Sequence, residues 1–111
     1  MNHQMIQAMI ADSQAETYAA ECMLLDAARR RDAGEDVTLF ASSTKLFATE
    51  ACGRVADRAV QVFGGAGYVT DYGIERFYRD VRIFRLYEGT SQIQQIIISR
   101  ELARAAKAGK L

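Results

Sequence analysis

Apolar residues recur along this chain at intervals of three and four, the period of a helix that buries one side. From about Asn2 to Ala33, the residues Ala8, Ala11, Ala15, Tyr18, Cys22, Leu25 and Ala28 form one stripe, which Ile6, Ile10, Ala20 and Leu24 widen. The pattern predicts a single long helix. Gly34 is its expected C-cap, because a left-handed residue is cheap only without a Cβ, and Glu35 and Asp36 place acids at the positive end of the next helix. That second helix is expected from about Val37 to Val62, with Phe40, Phe47, Ala51, Val55, Ala59 and Val62 inside. Lys45, Glu50, Arg54 and Asp57 fall mostly outside. A turn this short makes the two helices antiparallel.

The period breaks at Phe63-Gly64-Gly65-Ala66-Gly67-Tyr68 and resumes in a short helix near Gly73 to Val81, which carries Ile74, Phe77, Tyr78 and Val81. Arg82 to Gly89 has no clean period. Thr90 or Ser91 can cap a last helix running through about Ala108, with Ile93, Ile96, Ile97 and Leu102 facing inward. The expected fold class is therefore all-α: an up-and-down four-helix bundle of three long helices and one short one. The absence of proline and the confinement of glycine to loops, caps and one cluster fit long uninterrupted helices. The end from Ala105 to Leu111 is expected to fray.

Composition narrows what such a bundle can do. With 111 residues the chain is one domain, 1–111, large enough for a core but small for an enzyme that must hold both cofactor and substrate. Fourteen Lys and Arg balance fourteen Asp and Glu, so no net field draws nucleic acid or an anionic membrane, and neither partner is expected. The aliphatic run Ile96-Ile97-Ile98 is far shorter than the roughly 20 apolar residues of a membrane span. The start, Met1-Asn2-His3-Gln4, has neither the basic region nor the apolar stretch of a signal peptide, so a cytoplasmic location is expected. Cys22 and Cys52 lack CxxC spacing and are expected to be buried small hydrophobes. His3 is the sole histidine, which argues against a multi-histidine metal site and against Ser-His-Asp or Cys-His chemistry; no metal site is expected.

Two segments ask for more than packing. The glycine cluster is either a helix terminator or a stretch of bare backbone that another group approaches. The dinucleotide fingerprint fits it poorly, because a strand should precede GxGxxG and here a helix does. A glycine turn at a helix end can nevertheless offer amides to a pyrophosphate, with the Gln61 amide adding to them. The second segment, Arg85 to Gln92, puts Glu88 between an aromatic residue and a glycine just before a helix N-terminus. Glu88 either favours that positive end or pairs with Arg82 or Arg85, or it is a general base made effective by apolar walls such as Tyr87, with Gly89 leaving room for a substrate. Arg76, Arg79, Arg82 and Arg85, interleaved with Asp71, Glu75 and Asp80, are expected to form intersubunit or surface ion pairs.

Gly64-Gly65-Ala66-Gly67-Tyr68 followed by the Arg79–Gln94 run RDVRIFRLYEGTSQIQ resembles the acyl-CoA dehydrogenase family, specifically its C-terminal helical domain. The resemblance extends from His3-Gln4 through Ile10-Ala11-Asp12 to Arg100-Glu101. It implies an FAD-dependent enzyme in which Glu88 removes the pro-R α-proton of an acyl-CoA thioester while hydride leaves the β-carbon for flavin N5, giving a trans-2-enoyl-CoA. The Glu88 amide and a flavin ribityl hydroxyl would hold the thioester carbonyl. Tyr87 and Gly89 match substrate-contacting positions. By the same resemblance His3, Gln4, Thr90, Ser91 and Gln92 would contact FAD, while Gln61, Val62, Phe63, Gly64 and Gly65 would reach the FAD of a neighbouring subunit. A homodimer or homotetramer and electron transfer to an electron-transfer flavoprotein are implied as well.

The resemblance also sets limits. The family's N-terminal helical domain, its middle β-domain, and the Arg and Phe that precede its His-Gln pair have no counterpart here, so the chain is expected to be a fragment or solitary domain, incomplete for catalysis alone. Glutamate at 88 favours a straight-chain enzyme, since some relatives carry the base on another helix. Two other functions share these features: a non-catalytic helical oligomerisation module, and a domain of an acyl-CoA oxidase.

Overall fold

The computed structural model of the chain describes residues 3–110. It is all-α, with helices α1 (Gln4–Asp32), α2 (Thr38–Phe63), α3 (Ile74–Val81) and α4 (Ser91–Lys107). Single 3-10 turns lie at Gly64–Gly67, Thr70–Tyr72 and Arg82–Arg85, the last inside the stretch without a clean period, and no strand occurs among the described residues. Asn2, the expected start of the first helix, and Leu111 lie outside them.

The caps follow from the local sequence. Gly34 sits at φ 80 just past α1, its N–H donating to the Arg31 carbonyl at 2.9 Å and that of Glu35 to the Arg30 carbonyl at 3.0 Å. That pair of bonds is the Schellman closure, which a Cβ would strain. Asp36 accepts from the Thr38 N–H at 3.0 Å and from its hydroxyl at 2.7 Å, ahead of α2. Thr90 caps α4 by accepting from the Ile93 N–H at 3.3 Å.

Helix α2 is the shared partner of the other three. α1 lies antiparallel to it, because Arg30 stacks over Phe40 at 4.0 Å, the Thr44 hydroxyl donates to the Met23 carbonyl at 3.3 Å, and Glu16 pairs with Arg54 and Arg58 at 2.6 and 2.7 Å. On another side of α2 the chain returns through α3, reaches Glu50 at Arg85, and continues as α4 from Ser91, beside Glu50, toward Arg104, near Asp36. Thus α3 and α4 run in the same direction, both antiparallel to α2. The loop Leu86–Thr90 is the break between them.

The side of α1 that meets α2 is not the stripe expected from the sequence. Ala8, Ala11, Ala15, Tyr18, Cys22, Leu25 and Ala28 are exposed, as are Ile10 and Leu24, and only Ile6 and Ala20 of the expected set are half-buried. The inward edge is Ile6, Met9, Ser13, Glu16, Ala20, Met23, Ala27 and Arg30, which alternates steps of three and four as faithfully as the first. It contains Ser13, Glu16 and Arg30, so apolar spacing alone missed it. α4 behaves alike: Ile93, Ile96 and Leu102 are exposed, while Ser91, Gln94, Ile97, Ile98, Glu101 and Ala105 turn inward. Phe77 and Tyr78 of α3 are exposed rather than inward, with Ile74 and Val81 half-buried. On α2, Lys45 and Glu50 are half-buried rather than outside. Cys22 is exposed and Cys52 half-buried, so neither is the buried hydrophobe expected.

Small side chains line the helix seams. Ala27, Ala51 and Ala56 are the buried apolar residues and Ser42, Thr44, Ser91 and Gln94 the buried polar ones among the described residues. The radius of gyration, 17.2 Å, exceeds the roughly 13 Å of a compact domain of this length. The accessible surface, 8043 Å², likewise exceeds the roughly 6,100 Å² of a compact monomer of this mass. Large apolar faces of α1 and α4 are therefore open.

Candidate functional site

Two clusters of candidate residues lie at different points along α2. The first is the break between α3 and α4. Glu88 has φ 54, the one positive φ outside glycine among the described residues, and Gly89 follows at φ 88. Left-handed backbone costs a residue bearing a Cβ roughly 1–2 kcal/mol, so something must hold it. The Lys45 ammonium, rising from α2, donates to the Tyr87 carbonyl at 3.0 Å and to that of Gly89. From α4, the Gln94 amide donates to the Glu88 and Gly89 carbonyls at 3.4 and 3.5 Å. All three successive carbonyls are tied down, while the Glu88 side chain stays exposed.

Glu50 holds both ends of the same loop. One of its carboxylate oxygens accepts from the Ser91 hydroxyl at 2.6 Å, and the other pairs with Arg85 at 3.2 Å. The Ser91 hydrogen bond, then the Arg85 guanidinium, hold the Glu50 carboxyl below its ordinary pKa, against an opposing push from burial. Arg85 lies flat over Gly53, where a Cβ would come within 3.3 Å of its guanidinium. The Phe84 and Tyr87 rings stack at 5.9 Å. Arg85 is thus committed to Glu50 and leaves Glu88 without the ion pair considered from the sequence. Arg76, Arg79 and Arg82 make no ion pair with Asp71, Glu75 or Asp80 among the described residues.

The second cluster is at the other end of α2. Gly64 ends the helix at φ 60, and Gly67 is buried, where a Cβ would meet the Val60 carbonyl oxygen at 2.6 Å. Gly67 therefore serves the turn. Gly65 differs, because nothing in the chain lies within 4 Å of where its Cβ would be and its φ is not left-handed. Gln61 and Phe63 are exposed and Val62 half-buried; the Phe63 ring lies 6.4 Å from Tyr72. Between α2 and α3 runs an open groove of about 740 Å³, bordered by Val60, Gly67, Glu75, Tyr78 and Arg79.

The antiparallel register of α1 places His3 and Gln4, both exposed, at this glycine end. Lys45 and Gln61 are separated by about 24 Å at the helical rise of 1.5 Å per residue. The fold thus points the start of α1, with His3 and Gln4, toward the same end of α2 as Gln61–Gly65, and keeps Tyr87, Glu88 and Gly89 beside Thr90, Ser91 and Gln92. Thr90 is half-buried and Gln92 exposed, but Ser91 is buried with its hydroxyl given to Glu50. Gly89 is needed within the chain itself, since its φ of 88 strains any residue with a Cβ, which would also sit 2.8 Å from the Gln94 amide nitrogen. Sequence reasoning missed Lys45, Glu50 and Gln94; for Gln94 the signal was its place three residues after Ser91 and four before Ile98. No cluster of metal-binding side chains and no helix long and apolar enough to cross a membrane occurs among the described residues.

Comparison with known proteins identifies the family. Residues 1–103 match the family model for the acyl-CoA dehydrogenase C-terminal domain. The chain is 44% identical over 104 residues to a cyclohexane-1-carbonyl-CoA dehydrogenase of Geobacter metallireducens, covering 94% of this chain and 27% of that protein. It is also 44% identical to the CarC subunit of a caffeyl-CoA reductase–Etf complex of Acetobacterium woodii, covering 91% of this chain and 27% of the relative. Butyryl-CoA dehydrogenase from Megasphaera elsdenii superposes with a TM-score of 0.88 at 33% identity, over 92% of this chain and 27% of that one. The chain spans about a quarter of the length of these relatives.

Proposed function

We propose that this chain, which belongs to the acyl-CoA dehydrogenase family as a C-terminal domain, contributes the catalytic base and part of the FAD site to α,β-dehydrogenation of an acyl-CoA thioester. The observation that carries this reading is the Glu88 loop: an exposed carboxylate on left-handed backbone whose flanking carbonyls are all tied to α2 and α4. Rigid placement of a base is what proton abstraction from carbon requires.

Bound FAD supplies the hydride acceptor, N5 of its ring. Glu88 takes the α-proton onto a carboxylate oxygen while the β-carbon gives up hydride, so two C–H bonds break and the Cα=Cβ bond of a trans-2-enoyl-CoA forms. The Glu88 N–H has no acceptor within the chain among the described residues, which leaves it free to donate to the thioester carbonyl and stabilise enolate-like charge. Tyr87 and Gly89 flank the substrate.

The residues present fit FAD. Gly65 is required by no neighbour in this chain, and bare backbone beside the exposed Gln61 suits close approach of a pyrophosphate. The separation of about 24 Å along α2 supports a flavin site shared between subunits. One subunit offers Thr90, Gln92 and the backbone of Ser91; another offers Gln61 to Gly65 with His3 and Gln4. The open faces of α1 and α4 provide surface for a homodimer or homotetramer and for further domains, since the excess of about 1,900 Å² on this one chain is about twice the roughly 800 Å² that each partner gives to a standard interface. Electrons then pass to an electron-transfer flavoprotein, a reading supported by the relative that is a subunit of an Etf complex.

The test is Glu88→Gln in the FAD-loaded dehydrogenase that carries this domain. Loss of the base lowers the rate of flavin bleaching by acyl-CoA about 10²- to 10⁴-fold. A rate unchanged from wild type refutes the assignment.

A further inference from the structure

We infer that Lys45 is a positioning residue for Glu88: its ammonium, with the Gln94 amide, clamps the Tyr87–Gly89 carbonyls and thereby imposes the left-handed backbone that aims the carboxylate. The inference rests on the reading of Glu88 as the base. Carbonyls of residues two apart in sequence turn toward one ammonium, from Tyr87 and from Gly89, with Glu88 between them. Their dipoles repel when they converge, and a shared cation with three donors removes that repulsion. Gln94, buried on α4, ties the remaining Glu88 carbonyl at 3.4 Å, so the loop is held from two helices.

The clamp acts on the backbone only. The Glu88 side chain is exposed and has no hydrogen bond or ion pair within the chain among the described residues. Glu50 supports the loop at its ends through Arg85 and Ser91, yet neither contact reaches residues 87–89. Lys45 and Gln94 are therefore the side chains that determine the peptide planes on either side of the base. Removing the ammonium leaves two convergent carbonyls without their cation and lets Glu88 return to ordinary φ, which moves its carboxylate without deleting it.

The experiment uses the same FAD-loaded dehydrogenase, comparing Lys45→Met, Lys45→Arg and Gln94→Leu by amide hydrogen exchange and steady-state kinetics. Lys45→Met keeps the length of the side chain and removes its donors. Exchange across residues 85–91 is expected to accelerate about tenfold or more, and kcat to fall about tenfold with KM for the acyl-CoA within about twofold. Lys45→Arg, which retains a cation, is expected to recover most of both. Exchange and kcat at wild-type values in Lys45→Met overturn the inference, as does an equal loss in Lys45→Arg. Should Lys45→Met not fold, Gln94→Leu decides: faster exchange across residues 85–91 supports the clamp, and wild-type exchange there overturns it. Failure of the base reading is separately visible, because it appears as unimpaired turnover in Glu88→Gln while exchange still reports on the loop.

Discussion

Gly65 and Gly67 stand two residues apart in one cluster, and the structure gives Gly67 a packing reason to be glycine and Gly65 none, a difference that alanine can test. At Gly67 a Cβ would lie 2.6 Å from the Val60 carbonyl oxygen and 2.9 Å from the Phe63 Cβ. Backbone and a helix Cβ cannot swing aside as the tip of a long side chain can. Gly67→Ala is therefore overpacking against rigid atoms, worth about 1–3 kcal/mol. At about 4–8 °C per kcal/mol for a domain of this size, the melting temperature falls by at least about 4 °C. Gly65→Ala meets nothing within 4 Å and keeps an allowed φ. It restricts the unfolded chain, so stability is expected to hold or rise by about 0.4–1 kcal/mol. FAD affinity is expected to drop about tenfold, because the added methyl occupies the space a pyrophosphate would approach. Thermal melting followed by circular dichroism, together with flavin-fluorescence titration of the dehydrogenase, reads both quantities. A Gly67→Ala melting temperature within about 2 °C of wild type refutes the close-approach argument. Unchanged FAD affinity in Gly65→Ala refutes the cofactor role of the cluster.

Further outcomes follow from the ion pairs and the strained loop. The Arg58 hydrogen bond, followed by those of Arg54, holds the Glu16 carboxyl below its unfolded value of 4.5 against an opposing push from burial. Its stabilisation is thus complete above that value and is lost as pH falls through the lower folded pKa. Between pH 7 and pH 3, calorimetry should show wild type losing melting temperature more steeply than Glu16→Gln; parallel curves would sink the linkage. Glu88→Gly removes a Cβ from left-handed backbone, so the melting temperature is expected to stay level or rise, by up to about 1 kcal/mol of stability, while dehydrogenation is lost. A clear fall in melting temperature would show that Glu88 is unstrained.

The helices and their caps were legible in the residues themselves, because caps and breaks are local chemistry. Gly34 closes a Schellman turn, Thr90 caps α4, and the glycines after Phe63 end α2, each through bonds within a few residues of itself. The family motif was equally legible, since Glu88 and its neighbours are contiguous. Which face of a helix is buried was not local. α1 carries two stripes of the same period, an apolar one through Ala8, Ala15, Tyr18 and Leu25 and a mixed one through Ser13, Glu16, Ala27 and Arg30. Only packing against α2 selected the mixed stripe, because Arg54, Arg58 and Phe40 wait opposite it. Likewise the partnership of Lys45 with Tyr87 and Gly89 spans more than forty positions, and no period within α2 signals it. The sequence by itself determined the elements and the family and pointed to Glu88 as the proposed base; the tertiary structure alone decided the buried faces and brought Lys45 and Gln94 onto the Tyr87–Gly89 carbonyls. The reason is range: a cap or a motif is satisfied by its neighbours, whereas a face is buried only when another helix supplies its complement.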